Sequence, residues 1–545
     1  MQSVICKRNE GYKWYIKDNC WFKGYLQKQD KDIMRGYEAI ALIDSLNSYE
    51  ELLSLLKQYS GLFSIIVKKE KETWLATDIA RSMPIYYTTD LTFISDDIES
   101  LKSICERSCF ELDDIRVLEL YTTSFVGFKN TIYKGVKQLE LGCAAKMKDG
   151  TITEIPYFIH SSGIKELNLE DAIKDFRNLT TNMIKRMVSV VGDRQIVLSL
   201  SGGYDSRYLA CSLKDQGINN VICYTYGRSD SFEVAQSKKV ADSLGYQWFN
   251  IHYDDNSIKQ LLVNDKEYLN YCNRPDYSAY LQNYLAVKAL HNKGLIPNNS
   301  VFITGLCNDM PTGFYIPSEE YVKAHYTFNN EGVAKYNLDK RFVKFNISSE
   351  ARNVLKNDVL MYLKRMNFKV TDYNSFVGAL DCLETANFHS HCYLNMNVAH
   401  EYFGHEWLLP CWDKDLLLFW YSLPVNMRIG QKLYAKYITE YLAKKYGVGT
   451  KKHLNVLASS PLKAKIIRKA GGVLVKILYP LGIPIHRKTD INNFSILEVE
   501  LYKNITQKKA VKAERAALIL LLTIYMMEKR YGKTWYSSIK KFLIN

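Results

Sequence analysis

The chain has 545 residues, of which 47% are hydrophobic and 24% are charged, an ordinary composition for a soluble globular protein of two or three domains. Its twelve cysteines are scattered, without a CxxC pair or a His/Cys cluster at zinc spacing, which indicates reduced thiols. The N-terminal stretch lacks the apolar core of a signal peptide, and no uninterrupted apolar run reaches the ~18 residues of a membrane span. We therefore expect a cytoplasmic protein.

The chain divides into a β-rich first part and an alternating second part. Up to about Tyr157, short apolar segments are separated by turn residues, which predicts strands. A helix is predicted over 169–190, followed by strands at 221–226, 247–253 and 301–304 and a helix at 232–244. Such alternation predicts a parallel sheet with ligands at the carboxyl ends of its strands. Beyond about residue 345 the pattern is largely helical.

The most informative stretch is IVLSLSGGYDS at 196–206. It predicts a buried strand (196–200), a glycine-rich turn (201–206) and a helix (207–215). Glycines let backbone N–H groups approach phosphate oxygens, and the helix points its positive end at them. The carboxylate of Asp205 suits a phosphate-binding turn only if Mg²⁺ lies between the carboxylate and the phosphate. A tight turn without a ligand is the alternative, and the flanking serines, the aspartate and the apolar strand argue against it.

A second candidate loop, TGLCNDMPTG, covers residues 304–313. Gly305 directly follows a predicted strand, and Asp309 comes four residues later among turn formers. This loop can bring a second carboxylate to a metal and let the backbone approach an adenosine. An aspartate in a turn is common, so the functional interpretation of this loop depends on the motif at 196–206.

The net charge of +14 is concentrated in residues 451–488, which are rich in Lys and Arg and nearly free of acids. Nucleic acid, an anionic membrane surface or a phosphorylated substrate would each suit this segment. Residues 470–485 within it are apolar but interrupted by Lys476 and Pro480. One interpretation is peripheral contact with the inner face of a membrane, and the other is a packed helix with a solvated basic rim.

These pieces together resemble the asparagine synthetase superfamily. SGGYDS at 201–206 is similar to the SGGxDS signature of PP-loop ATP pyrophosphatases, which split ATP between its α- and β-phosphates. GLFSIIV (61–67), TDIARSMPIYY (77–87) and FISDDIESL (93–101) resemble motifs of the glutaminase domain, and LLPCWDKDLLLFWYSLP (408–424) resembles a later synthetase motif. The resemblance implies a degenerate class II glutaminase-like domain at 1–160, with an α+β Ntn-like fold. It implies a synthetase domain at 165–545, with an α/β PP-loop (HUP-like) parallel sheet and a helical C-terminal part.

The chain also departs from that family. Class II glutaminases use a cysteine at residue 2, where this chain has Gln2, and the glutamine-gripping N-G-E signature is missing from the first hundred residues. We expect Cys6 to be a small apolar residue of the first strand. In the synthetase half, Leu306 replaces a glutamate tied to catalysis and Met310 replaces an acidic residue. We therefore expect adenylation without glutamine hydrolysis and without free aspartate as substrate.

The resemblance also implies roles for individual residues, with ATP and Mg²⁺ as cofactors. The adenosine pocket would be lined by Leu200, Tyr226, Thr304 and Gly305, and the pyrophosphate would be held by Ser201, Gly202, Gly203 and Ser206. Asp205 and Asp309 would bind Mg²⁺. Lys452 is the candidate catalytic lysine, with Lys451 and Lys463 as rivals, whereas Lys432 is expected to be structural.

The leading functional hypothesis is ATP-dependent amide formation through an acyl-adenylate on a sugar carboxylate, either a nucleotide sugar or a lipid-linked intermediate. It rests on resemblance of the 242–253 and 401–413 stretches to asparagine synthase-related proteins of bacterial surface-polysaccharide clusters. The partners would be this carboxylate and an amine, with ammonia one option. Alternatives are an intramolecular or peptide amide synthetase like β-lactam synthetases and lasso-peptide cyclases, a tRNA-modifying PP-loop enzyme, and a non-catalytic nucleotide-binding relative. Nucleic acid is disfavoured, because neither a thiol pair nor a dedicated RNA-binding domain is evident.

Overall fold

A computed structural model describes residues 2–28, 31–449, 474–475, 477–485, 490–511 and 518–544. Within these residues, no helix combines the length and the apolar character needed to cross a membrane.

The first part of the chain is rich in strands, as its sequence pattern predicts. Its strands are β1 (Ser3–Ile5), β2 (Trp14–Lys17), β3 (Cys20–Lys28), β4 (Lys31–Arg35), β5 (Tyr59–Lys68), β6 (Glu72–Thr77), β7 (Tyr86–Thr88), β8 (Phe93–Ser95), β9 (Val136–Gln138), β10 (Cys143–Lys148) and β11 (Thr151–Pro156). Its helices are α1 (Gly36–Asp44), α2 (Tyr49–Gln58), α3 (Ile98–Lys102) and α4 (Asp114–Thr123), with a 3-10 turn at Arg107–Phe110.

These strands form two sheets. The larger has the order β11-β10-β6-β5-β3-β2, with β4 also paired to β3, and all its neighbours are antiparallel. The smaller has the order β1-β8-β7-β9, in which only β1 and β8 are parallel. β1 ends at Ile5, so the expectation that Cys6 lies in the first strand is wrong by one residue.

The second part combines a parallel sheet with many helices. Its strands are β12 (Ile196–Ser199), β13 (Val221–Gly227), β14 (Gln247–His252), β15 (Val301–Ile303) and β16 (Glu406–Leu408). Its first helices are α5 (Leu169–Val191), α6 (Tyr204–Asp215), α7 (Phe232–Leu244), α8 (Asp255–Asn264), α9 (Lys266–Cys272), α10 (Tyr284–Asn292), α11 (Glu319–His325), α12 (Asn330–Arg341), α13 (Ser349–Arg365), α14 (Tyr373–Glu384) and α15 (Val398–Tyr402). They are followed by α16 (Lys414–Ser422), α17 (Val425–Arg428), α18 (Lys432–Lys436), α19 (Ala443–Tyr446), α20 (Phe494–Asn504), α21 (Leu518–Tyr531) and α22 (Trp535–Ile539). Two π-helical segments cover Thr385–Tyr393 and Tyr437–Leu442, and short 3-10 turns cover Leu394–Asn397, Pro410–Trp412, Ile429–Gln431, Lys508–Ala510 and Lys540–Phe542.

The five strands of the second part are all parallel, in the order β14-β13-β12-β15-β16. β12 therefore lies at the centre, and the loops after β12 and β15 leave the same edge of the sheet side by side. Reversals of this kind in strand order are where α/β proteins place their ligands. The two candidate loops of the sequence thus meet at one place.

The C-terminal helices connect the two parts of the chain. α20 packs on α8, and α21 and α22 pack on α4 of the first part. The hydroxyl of Tyr121 on α4 donates to the carbonyl of Ala510, and the hydroxyls of Tyr133 and Tyr531 are 2.7 Å apart. These contacts pack the C-terminal helices against both parts of the chain.

Candidate functional site

The turn after β12 is tied together by its own hydroxyl groups. The backbone N–H of Ser201 donates to Ser206 Oγ at 3.0 Å, and the N–H of Gly203 donates to Ser201 Oγ at 3.1 Å. The two Oγ atoms are 3.1 Å apart. These hydrogen bonds of the two serines therefore fix the shape of the turn and keep its backbone close to the start of α6.

Helix α6 begins at Tyr204 rather than at residue 207, so the predicted turn is shorter than expected. Its N-cap is Gly203, which is exposed and makes no side-chain cap hydrogen bond. The first N–H groups of a helix without such a cap need acceptors from elsewhere, and phosphate oxygens are suitable ones. Asp205 and Ser206 lie in this first turn, at the positive end of a 12-residue helix.

The loop 304–313 closes against this turn through Gly305. A Cβ atom at residue 305 would lie 2.9 Å from the Cβ of Asp205 and 3.1 Å from its carbonyl carbon. Only glycine permits this approach without displacing the helix start. The next contact follows three residues later, where Asn308 Nδ2 donates to Asp205 Oδ1 at 3.3 Å.

Asp205 and Asp309 form an electrostatically coupled pair at the junction of these two loops. Burial, together with the negative charge of Asp309, raises the pKa of Asp205 to about 7. Burial also raises the pKa of Asp309. A cation beside two such buried carboxylates would stabilise their ionised forms. No group of three or more His, Cys, Asp or Glu side chains that could hold a metal occurs among the described residues.

Helix α18 and the turn before it supply donors that the sequence analysis missed. The hydroxyl of Tyr434 donates to Asp205 Oδ1 at 2.7 Å. Gln431 Nε2 donates to Asp309 Oδ1 at 3.1 Å and to Thr312 Oγ1 at 2.9 Å. Each donor stabilises the ionised form of its carboxylate and so opposes the effect of burial. Lys432, expected to be structural, is the first residue of this helix.

A buried ion pair holds the loop 304–313 from its other side. Arg428 Nη1 lies 2.8 Å from Asp381 Oδ2, and each side chain is only 2% exposed. Arg428 Nε also donates to the carbonyl of Pro311 at 2.9 Å. The pair thereby links α14, α17 and the loop that carries Asp309.

The residues assigned to the adenosine lie around the ends of β12, β13 and β15. Leu200 is buried, its N–H donates to the carbonyl of Tyr224, and its own carbonyl accepts from Thr225 Oγ1. It therefore forms a fixed wall of the expected adenosine pocket. Thr304 is 5% exposed, and its Oγ1 is buried without a hydrogen-bond partner. Tyr226 stacks on Tyr253, with ring centroids 5.4 Å apart. An unpaired hydroxyl and a partly exposed ring are groups that a nucleoside can contact.

A turn from the C-terminal part covers one side of this region. The carbonyl of Ile491 accepts a hydrogen bond of 2.7 Å from the N–H of Arg228. Gly227 has a φ of +117°, and a Cβ there would collide with the same carbonyl. Asn493 Nδ2 donates to Asp255 Oδ1 at 2.8 Å, which fixes the turn to α8. Residues 490–494 therefore border the end of β13, the strand next to the edge strand β14.

The candidate lysines Lys451, Lys452 and Lys463 lie outside the described residues. Shortly before them in sequence, Val448 lies beside α6, where its carbonyl accepts a hydrogen bond of 3.4 Å from Arg207 Nη1.

In the first part, Gln2 Oε1 accepts a hydrogen bond of 2.9 Å from Thr73 Oγ1. Burial raises the pKa of the Cys6 thiol, with Asp96 adding to the shift, so the thiolate is disfavoured. Arg81 occupies a left-handed backbone position, with a φ of +55°, and forms a buried ion pair of 3.6 Å with Asp276 of the second part.

Comparison with known proteins agrees with this arrangement. The sequence model of the asparagine synthase family matches residues 176–448, half of the chain, including both loops and both carboxylates. The chain belongs to the asparagine synthase family. As a member of this family it is an enzyme, an amide-forming ligase that uses ATP. No curated protein matches the chain.

Solved structures with PP-loop or amidotransferase functions are similar to parts of this asparagine synthase family member. The NH3-dependent NAD synthetase from Campylobacter jejuni is 15% identical over 37% of this chain and 97% of its own, with a TM-score of 0.19. A U34-tRNA thiolase from Methanococcus maripaludis is 15% identical over 43% of this chain and 79% of its own, with a TM-score of 0.19. The glutamine phosphoribosylpyrophosphate amidotransferase from B. subtilis is 9% identical over 55% of this chain and 58% of its own, with a TM-score of 0.17.

Proposed function

We propose that this enzyme forms an amide on a sugar carboxylate, a uronic acid used in surface-polysaccharide biosynthesis, and releases AMP and pyrophosphate. The carboxylate is first activated as an acyl-adenylate, and an amine then displaces AMP. The observation that carries this proposal is the coupled pair Asp205 and Asp309 at the uncapped start of α6. Paired carboxylates next to a phosphate cradle suit a nucleotide bound together with a divalent cation.

The residues present fit both ATP and Mg²⁺. The start of α6, which has no side-chain cap, and the unpaired Thr304 Oγ1 are suited to phosphate and nucleoside oxygens. Mg²⁺ in nucleotide enzymes is commonly held by one or two carboxylates together with phosphate oxygens, which Asp205 and Asp309 satisfy. When bound, Mg²⁺ supplies positive charge that offsets the charge on the leaving pyrophosphate.

The chain's own groups then position the reacting atoms. Tyr434 and Gln431 orient the two carboxylates, and the turn before α6 would hold the pyrophosphate part of ATP. The substrate carboxylate attacks the α-phosphorus in line, the bond to the bridging oxygen of pyrophosphate breaks, and an acyl-adenylate forms. The amine next attacks the acyl carbon, loses a proton, and AMP leaves. Positioning and electrostatics supply most of the rate enhancement in such a site.

We retain Lys452 as the catalytic lysine of this proposal. It is four residues beyond Val448, whose carbonyl is bonded to Arg207 of α6.

We also propose that the first part of the chain does not hydrolyse glutamine. Burial disfavours the thiolate of Cys6, and it raises the pKa of Cys20 to about 12. A cysteine nucleophile needs the opposite, a lowered thiol pKa. The amine therefore comes from solution, as ammonia or a larger amine, rather than from glutamine.

The sugar carboxylate is supported by the resemblance of residues 242–253 and 401–413 to polysaccharide-cluster proteins. It is also consistent with the surroundings of Asp309, where Leu306 and Met310 stand in place of acidic residues. Met310 is buried, so its side chain fills space beside the loop rather than presenting a charge.

Exchange of labelled pyrophosphate into ATP tests the adenylation step. Exchange should require Mg²⁺ and a uronic acid and should need no amine. Asp205→Asn and Asp309→Asn should each abolish it, while Asp242→Asn, at an exposed ion pair on α7, should leave it unchanged. Exchange that persists in Asp205→Asn would contradict the assignment of the two carboxylates.

A further inference from the structure

The exposed large hydrophobic side chains of the described residues are concentrated in one short stretch. Leu474, Ile477, Leu481 and Ile483 are all exposed, and Leu481 is 69% exposed. Elsewhere in the described residues, no ten-residue stretch has more than two large hydrophobic side chains this exposed. Single exposed apolar residues are common, whereas a contiguous group marks a surface that another body covers.

The same stretch is anchored from behind. Val475 and Tyr479 are one helical turn apart, and both are buried. The N–H of Tyr479 donates to the carbonyl of Val475, and its hydroxyl donates to Glu498 on α20. Its ring also packs against Tyr502, with centroids 5.8 Å apart. The exposed side chains are therefore presented by a fixed backbone.

Positive charge accompanies this apolar surface. The sequence from 451 to 489 contains nine Lys or Arg residues and no Asp or Glu. On α20, Lys503 lies beside Gly482, with its Nζ 3.0 Å from the place a Cβ would occupy, although it also pairs with Glu500 at 3.2 Å. Lys508 Nζ lies 4.6 Å from the centroid of the Tyr502 ring.

We propose that the exposed apolar side chains of residues 474–475 and 477–483 form a docking surface for an anionic membrane. Leu474, Ile477, Leu481 and Ile483 enter the boundary between headgroups and acyl chains, and Lys503 beside Gly482 contacts lipid phosphates. A second copy of this chain is a poorer occupant, because it would bring the same positive charge to the interface. The proposal is independent of the reaction proposed above.

Co-sedimentation of the full chain with vesicles tests this surface. The vesicles are phosphatidylcholine alone, and an equal mixture of phosphatidylcholine and phosphatidylglycerol. The test variant carries Ile477→Asp and Leu481→Asp. The control variant carries Met361→Asp and Val343→Asp, at side chains that are 65% and 72% exposed, so that its net charge matches that of the test variant. Thermal unfolding midpoints of both variants check that they remain folded.

We expect the wild type and the control to bind the mixed vesicles, with binding that weakens as salt is added. The test variant should bind about tenfold less or weaker still, because burial of two large apolar side chains is lost. Equal binding by the test and control variants would overturn the proposal, as would a wild type that binds neither vesicle. A dimer that forms without lipid and is abolished in the test variant would instead assign the surface to self-association.

Discussion

The hydroxyl of Tyr434 donates a 2.7 Å hydrogen bond to Oδ1 of Asp205, across 229 residues of sequence. This bond opposes the burial and the Asp309 charge that raise the pKa of Asp205. Tyr434→Phe should therefore raise that pKa further and weaken binding of Mg²⁺ and ATP. Because a hydrogen bond to a charged group contributes about 1.5–3 kcal/mol, we expect KM for ATP to rise by about tenfold or more.

Tyr437→Phe is the matched control for this prediction. Tyr437 lies one turn further along, where its ring packs on Phe176 with centroids 4.8 Å apart. Steady-state AMP formation at varied Mg²⁺ and ATP distinguishes the two variants. An unchanged KM for ATP in Tyr434→Phe would show that this tyrosine does not support the metal site.

Gly305→Ala should remove activity through a steric effect at Asp205. The added methyl group would lie 2.9 Å from the Cβ of Asp205, so the loop or the start of α6 must shift. Overpacking of this kind costs about 1–3 kcal/mol and moves the carboxylate. We expect both a lower thermal midpoint and loss of AMP formation. Gly163→Ala, at a glycine with nothing within 4 Å of the added atom, should change neither.

Breaking the Arg428–Asp381 ion pair should destabilise the protein strongly. Arg428→Met leaves the Asp381 carboxylate buried without its cation, which costs about 3–5 kcal/mol. The double variant Arg428→Met/Asp381→Leu removes both charges and should recover much of that loss. Chemical denaturation measures the difference. Asp242→Ala, which breaks a pair whose side chains are more than half exposed, should cost under about 1 kcal/mol. If Arg428→Met lowers the free energy of unfolding no more than Asp242→Ala does, the Arg428–Asp381 ion pair does not support the loop.

His160 should make the protein sensitive to mild acid. Burial lowers its pKa from 6.5 to about 4, against a hydrogen bond of 2.7 Å with the carbonyl of Ile79. Between these pH values the unfolded chain binds a proton that the folded chain excludes. Stability therefore falls as the pH is lowered through this window, by up to about 3 kcal/mol for this residue.

His160→Gln keeps a donor for the Ile79 carbonyl but cannot titrate. It should be less stable than the wild type near neutral pH, and the difference in thermal midpoint should shrink as the pH falls toward about 4. A difference that stays constant with pH would show that His160 does not contribute to acid sensitivity.

The sequence pattern predicts the parallel sheet well, because each of its motifs is local. The bounds of α7 are as predicted, and β13, β14 and β15 each differ by one residue. The start of α6 was wrong by three residues, since Tyr204, Asp205 and Ser206 have the composition of a turn while Gly203 acts as the N-cap. Neighbouring strand ends bring Asp205 and Asp309 together, as their motifs suggest.

Contacts made by distant segments could not be predicted in this way. Gln431 has a left-handed backbone, with a φ of 60°, at the junction of two short helices, and no periodic pattern directs its side chain to Asp309. The turn at 490–494 reaches the end of β13 only through the packing of α20 on α8. Both features depend on tertiary packing, which a single sequence does not reveal.

The most direct test of the proposed function measures AMP and pyrophosphate release from ATP and Mg²⁺ across a panel of nucleotide-linked uronic acids. Each acid is supplied with ammonium, with glutamine or with neither, and Asp205→Asn serves as the inactive control. We predict release that requires a uronic acid and ammonium together, that glutamine does not replace ammonium, and that Asp205→Asn abolishes it. Absence of release with every acid, despite measurable ATP binding, would contradict a uronic acid acceptor and direct attention to a peptide or intramolecular amine.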